Sequence, residues 1–177
     1  MRKNRDGFTF IELLVVLSII GILSVVGIAA FVDYSRKQAL STATLELSTV
    51  LQVAKSRSQS QVKPESGWPC SVNSLDGYRV TITSDKDYKL SAVCAGNDQT
   101  LDTKSLPTNI TFSQDKPTFF FRSVSGGADE GTITIYGYGQ AKCIGVTSAA
   151  VISLETCAIP TSVPPTPTAM GKQSALE

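Results

Sequence analysis

Few side chains in this sequence are able to do chemistry, and the absences narrow the field before any fold is considered. None of the 177 residues is histidine, which removes the commonest general base, the usual triad partner and the usual zinc ligand. Two aspartate pairs, Asp85 with Asp87 and Asp98 with Asp102, have the composition of the paired carboxylates of a membrane-anchored hydrolase. Both lie in turn-like polar contexts, where solvated loop acids are the plainer reading. The oxygen-rich run that a calcium loop needs is absent, as are a glycine-rich phosphate loop and a GxSxG elbow. The four cysteines, Cys70, Cys94, Cys143 and Cys157, have no CxxC spacing for redox or metal chemistry. No catalytic residue, metal or cofactor is assigned, and the chain is read as a non-enzyme. The residue that most needs a reason is Glu12, at the head of the apolar run in "FTFIELLVVLSIIGIL". A carboxylate at bilayer depth costs about 2.5–3.5 kcal/mol on insertion-derived scales, so it calls for a partner.

The elements that would position these groups fall into three regions. The first, Met1 to about Gln61, lacks proline. Within it Leu13–Val32 gives twenty residues without a charge, about 30 Å of helix and enough to cross a hydrocarbon core. Beyond Asp33 the pattern becomes amphipathic: Leu40, Ala43, Leu47, Val50, Leu51 and Ala54 recur at three- and four-residue spacing, which predicts a helix packing one side on a globular head. The second region opens at "KPESGWPC", where proline and glycine end the helical pattern. Its apolar runs are short and rich in β-branched and aromatic residues. "YRVTIT" and "YKLSAV" flank "SDKD" as a hairpin, followed by "NITF", "TFFFR", "TITIY", "KCIGV" and "AVISL". The fold class is therefore α+β, a long N-terminal helix on a small antiparallel sheet or sandwich. The third region, "IPTSVPPTPTAMGKQSALE", is too proline-rich and polar to pack and is read as a flexible tail. The boundaries are 1–7 for a leader, 8–32 for the membrane and assembly helix, 33–62 for the amphipathic helix, 63–159 for the head and 160–177 for the tail.

Ordinary export signals do not account for the N-terminus. "MRKNR" could be the basic region of a secretory signal cut before Ala30, or of a plain signal anchor. A lipoprotein leader fails because the N-terminal half has no cysteine. The first two leave Glu12 unexplained, together with the glycine that ends the charged segment directly before "FTFIE". The stretch "GFTFIELLVVLSIIGILSVVGIAAF" resembles the class III signal sequence of type IV pilins and type II secretion pseudopilins, over roughly 25 residues. The resemblance implies cleavage by prepilin peptidase between Gly7 and Phe8, methylation of the new amine on Phe8, and a functional glutamate five residues into the mature chain, Glu12. It also implies partners: other pilin or pseudopilin subunits, the peptidase and an assembly platform. Two details depart from the family pattern. Phe10 stands where leucine is more usual, and the outer half of the apolar helix reads "GIAAF" without the proline many pilins carry.

Elementary electrostatics gives Glu12 its partner. Cleavage would turn the neutral amide at Phe8 into a cationic amine. Carboxylate and ammonium together offset much of the cost that each carries alone in a low-dielectric core. Within one chain they lie one helical turn apart. Between neighbouring subunits, the same pair would set the axial stagger of a helical bundle.

The head carries a weaker likeness. "FFFRSVSGGADEGTITIYGYGQAKCIGV" is similar to the late-strand region of H-type minor pseudopilins and related minor pilins, which implies an accessory or initiating subunit. The implied location is a bacterial inner or cytoplasmic membrane, single-pass with the head outside the cytoplasm, and then a pilus or pseudopilus. An exported head fits two disulfides; four cysteines allow three pairings, of which we take Cys70–Cys94 across the first hairpin and Cys143–Cys157 across the last. The alternative function is ligand binding, DNA above all. With 16 Lys+Arg against 15 Asp+Glu there is no global field toward nucleic acid. The candidate cations Arg79, Lys86, Lys89, Lys104, Lys116, Arg122 and Lys142 are scattered among acids. Tyr136 and Tyr138 could form a contact face only if the chain stays extended across Gly137.

Overall fold

A computed structural model describes residues 9–64, 67, 69–155 and 157, with 23–27, 29 and 30 described by backbone alone. Gly7, Phe8 and the tail from 160 onward lie outside the described residues. A single helix, α1, runs Phe10–Gln59 without a break. It starts at Thr9, whose extended backbone and side-chain oxygen make it the N-cap. It stops where Gln61 takes up a left-handed φ of 50°, three residues ahead of Pro64. The spacing read from the sequence is the face that packs: Leu40, Ala43, Leu47, Val50, Leu51 and Ala54 are all buried. The last turn is fastened to the head by Ser58, whose buried hydroxyl donates to the Phe121 carbonyl at 2.7 Å.

Eight strands make two antiparallel four-stranded sheets. The first sheet holds β1 (Leu75–Ile82), β2 (Asp87–Cys94), β3 (Asn97–Ser105) and β5 (Thr118–Arg122) in the order β3-β2-β1-β5. The second holds β4 (Ile110–Phe112), β6 (Gly131–Gly137), β7 (Gln140–Val146) and β8 (Ile152–Glu155) in the order β4-β6-β7-β8. One core joins them: Leu47 and Leu51 of the helix, Tyr78, Val80, Phe119 and Phe121 of the first sheet, and Ile133, Ile135 and Ile144 of the second belong to the same cluster. The sheets meet where Tyr88 and Phe112 stack edge to face, ring centroids 5.9 Å apart, and where the Phe112 N–H donates to the Asp85 carbonyl at 2.8 Å.

The sequence reading missed β3 entirely. Its residues, "NDQTLDTKS", are polar and mostly exposed. An edge strand pairs on one side and faces water on the other, so it needs no apolar alternation. A bulge opposite Leu90 and Ser91 leaves Leu101 without a strand partner, and that leucine packs against the core. Asp98 and Asp102, expected in turns, are therefore strand residues. On the other side of this sheet, β5 runs so close to β1 that a Cβ on Gly77 would overlap the Phe121 carbonyl oxygen and reach the Phe120 ring at 2.9 Å.

Tyr88 carries a pH liability. Burial, reinforced by the negative charges of Glu46 and Asp102, pushes its hydroxyl up to about 12 from the ordinary 10.0. The unfolded chain would lose this proton near 10 while the folded chain keeps it. The stabilisation is therefore fully present below pH 10 and is lost as pH rises through the window from 10 to about 12. Alkaline unfolding followed by circular dichroism should show stability falling across that window. Tyr88→Phe should flatten the slope by the contribution of one proton.

Candidate assembly helix and head surface

Among the described residues, the large apolar side chains in the N-terminal part of α1 are exposed. Leu13, Leu14, Val15, Val16 and Leu17 follow one another around the axis, and each is 46–58% exposed. Ile28 and Phe31 are likewise exposed. A helix that is apolar on every side is stable only when lipid or other helices enclose it. Ser18 removes its own polarity by donating to the Leu14 carbonyl at 2.8 Å. Among the described residues no helix is long and apolar enough to cross a membrane. The run described with its side chains ends at Ile22; the uncharged sequence from Leu13 to Val32 includes seven residues described by backbone alone.

At the start of this arm stands Glu12. Its backbone N–H donates to Thr9 Oγ1 at 3.3 Å, and Leu13 N–H donates to the Thr9 carbonyl at 3.2 Å. Thr9 and Glu12 have the T-x-x-E spacing of a capping box, a signal present in the sequence that the reading did not use. A carboxylate in the first turn also faces the positive end of the helix dipole, worth about 0.3–1 kcal/mol. With Thr9 as the cap, the first helical residue is Phe10.

In the head, three of the four aspartates considered for chemistry are held by other bonds. Asp85 pairs with Lys116 at 2.9 Å. Asp87 accepts from Ser84 Oγ at 2.8 Å, and hydrogen bonds from Ser84 and then Ser105 hold its carboxyl below the usual range. Asp98 pairs with Arg79, and Asp129 with Arg122. Both arginines lie over the Phe120 ring, at 5.3 and 5.6 Å from its centroid. The array Asp98–Arg79–Phe120–Arg122–Asp129 crosses the outer face of the first sheet, where Ser91 and Val93 are buried although they lie outside the main core. It works as a lid on that face. Three of the seven cations considered for nucleic acid are thus tied to aspartates. Tyr136 and Gly137 lie in β6, and the chain leaves the strand at Tyr138, which sits in the turn at a left-handed φ of 52°. Among the described residues no three acidic or thiol side chains gather to hold a metal.

Comparison with known proteins bears on both parts of the chain. Residues 2–28 match the model of the prokaryotic N-terminal methylation motif. Two fimbrial proteins from Dichelobacter nodosus are each 31% identical to the chain over 118 residues, covering 64% of this chain and 71% of the relative. The chain belongs to the type IV pilin family. No solved structure matches it. The pilin is a structural subunit from a structural, non-enzymatic family, and the family associates it with a pilus and with other pilin subunits.

The pilin's cysteines come together in two pairs. Cys70, in the loop after α1, is bonded to Cys94 at the end of β2, and Cys143 of β7 to Cys157 beyond β8. Loop closure suggests about 3 kcal/mol from each. The first bond ties the helix-to-sheet connection to a central strand. The second fixes the last described residue of the pilin to the middle of the second sheet.

Proposed function

We propose that this pilin is made as a membrane precursor, cut between Gly7 and Phe8 by a prepilin peptidase, methylated on the Phe8 amine, and built through α1 into a pilus or pseudopilus. Before assembly, Leu13–Val32 crosses the inner or cytoplasmic membrane, with the head on the outer side. Glu12 then meets the Phe8 amine, within the chain or on the neighbouring subunit, and sets the register of the helix bundle. An assembly platform and other subunits are the partners. The likeness of the late strands to those of accessory subunits supports an accessory place in the filament. One observation carries the reading: an arm apolar on all sides projects from a folded head and has a single carboxylate at its capped start.

The test is the N-terminus of the mature protein, read by mass spectrometry from the native host. The expected chain begins at Phe8 with one methyl group on its nitrogen. A chain beginning at Ala30 would make this a conventionally secreted head. An intact Met1 in a host that processes its other pilins would make it a plain membrane anchor.

A further inference from the structure

The β6–β7 turn reaches back to the helix at an unusual place. Tyr138 occupies a left-handed conformation, φ 52°, followed by Gly139 at φ 74°. That is the two-residue hairpin geometry which asparagine, aspartate and glycine adopt at low cost. A tyrosine there costs about 1–2 kcal/mol relative to them, so its side chain has a reason to be at the tip. The ring does not enter the core: it is 39% exposed. The Arg36 guanidinium lies 5.9 Å from its centroid, and its hydroxyl donates to the Thr108 carbonyl at 3.4 Å. Turn, loop and helix therefore converge at the level of Arg36.

That level follows from helix geometry. Arg36 is four residues beyond Val32, where the uncharged run ends, which is about 6 Å along the axis. The polar layer of each leaflet is about 5–7 Å deep beyond the hydrocarbon. Because α1 is continuous here, the Tyr138 tip is held within or at the top of that layer. Helical side chains lean toward the N-terminus, so those of Tyr34, Arg36 and Lys37 lean toward the bilayer. Tyr34 is 66% exposed and points about 200° around the helix from Arg36. Tyrosines thus flank the helix on two sides, in the arrangement aromatic residues adopt at membrane interfaces. Arg36 and Lys37 add two cations against Asp33, which Arg36 approaches at 3.9 Å.

We infer that the underside of the head, formed by the β6–β7 tip with Tyr138, the Thr108 loop and Tyr34, Arg36 and Lys37 of α1, is a docking surface for phospholipid headgroups. It seats the unassembled subunit on the outer leaflet at a fixed depth. The inference rests on the membrane crossing proposed for Leu13–Val32, and the experiment separates the two.

Trp68, the sole tryptophan, is replaced by phenylalanine in the full-length precursor, which is reconstituted into phosphatidylcholine–phosphatidylglycerol vesicles. One variant adds Tyr138→Trp and a second adds Leu17→Trp. Fluorescence is quenched by nitroxides placed either on the headgroup or at mid-chain. The indole introduced by Tyr138→Trp should be quenched at least twofold more by the headgroup probe, and that introduced by Leu17→Trp more by the mid-chain probe. If Leu17→Trp reports insertion while Tyr138→Trp is untouched by either probe, the docking surface is wrong and the crossing stands. If neither is quenched, the crossing fails and the inference with it. Shielding of the Tyr138→Trp indole that grows with protein-to-lipid ratio, without headgroup quenching, would assign the surface to a second copy and overturn the inference.

Discussion

Glu12→Val should leave leader removal intact and reduce filament incorporation more than a hundredfold. In the proposed bundle the Phe8 ammonium and the Glu12 carboxylate share a site with almost no other polarity, since the helix around them is apolar on every side. Removing one member of a buried ion pair leaves the other charge uncompensated, at about 3–5 kcal/mol, and each 1.4 kcal/mol is a factor of ten. Glu12→Gln should fall short of valine's effect, because the amide still accepts a hydrogen bond from the amine. Glu12→Asp should be milder again, with the charge kept and the reach shortened. The measurement is the ratio of filament-borne to membrane-held processed subunit, by quantitative immunoblotting after shearing. Wild-type incorporation of the valine variant would remove Glu12 from the assembly mechanism. Loss of cleavage would instead move its role to recognition by the peptidase.

The second large effect is expected far from the arm. Gly77→Ala should destabilise the head by about 3 kcal/mol, the upper end of what overpacking costs. The added methyl would meet the Phe121 carbonyl oxygen and the Phe120 ring. A backbone oxygen fixed in the β1–β5 ladder cannot swing aside as a flexible side chain can. Gly131→Ala is the natural comparison: its nearest neighbour is the edge of the Phe119 ring at 3.3 Å, which can yield by a few tenths of an ångström. It should cost well under half as much. Thermal unfolding of the full chain in detergent, with disulfides intact, distinguishes the two. Equal losses would mean that the first sheet tolerates separation of β1 from β5.

These two sites differ in how far the sequence announced them. Glu12 stood out because a carboxylate among twenty uncharged residues violates the solvent preference of its surroundings. The packing face from Leu40 to Ala54 was readable because helical periodicity and burial have the same cause. The hairpin of β1 and β2 was readable because two short runs rich in β-branched and aromatic residues flank the polar turn "SDKD". Strand β3 was not, since an edge strand wetted on its outer side leaves no apolar period to detect. Gly77 stands just ahead of the predicted run "YRVTIT" with nothing in the sequence to mark it; only the approach of β5, some forty residues later, gives it its steric role. The array from Asp98 to Asp129 was equally hidden. Its charges are scattered along the chain, and the antiparallel register brings them over one phenylalanine. Thr9 is the opposite case: its T-x-x-E spacing to Glu12 is legible in the sequence alone, because a capping box is made within four consecutive residues.

The unbroken α1 also fixes how the subunit would carry tension. Because the helix is continuous from Phe10 to Gln59, a pull on the arm enters the head near Leu40 along the helix axis. From there to its end the helix packs on the head and contacts β1, β5, β6, β7 and β8, so the load is shared by both sheets. Interdigitated side chains from Leu40 to Ala54 must slide together, since no row of hydrogen bonds can open one rung at a time. Ser58 closes the far end by its bond to Phe121, and the Cys70–Cys94 bond anchors the connection that follows to a central strand. A head gripped this way would resist extraction in the direction a filament stretches, and yield more easily to a sideways pull on β3 or β8.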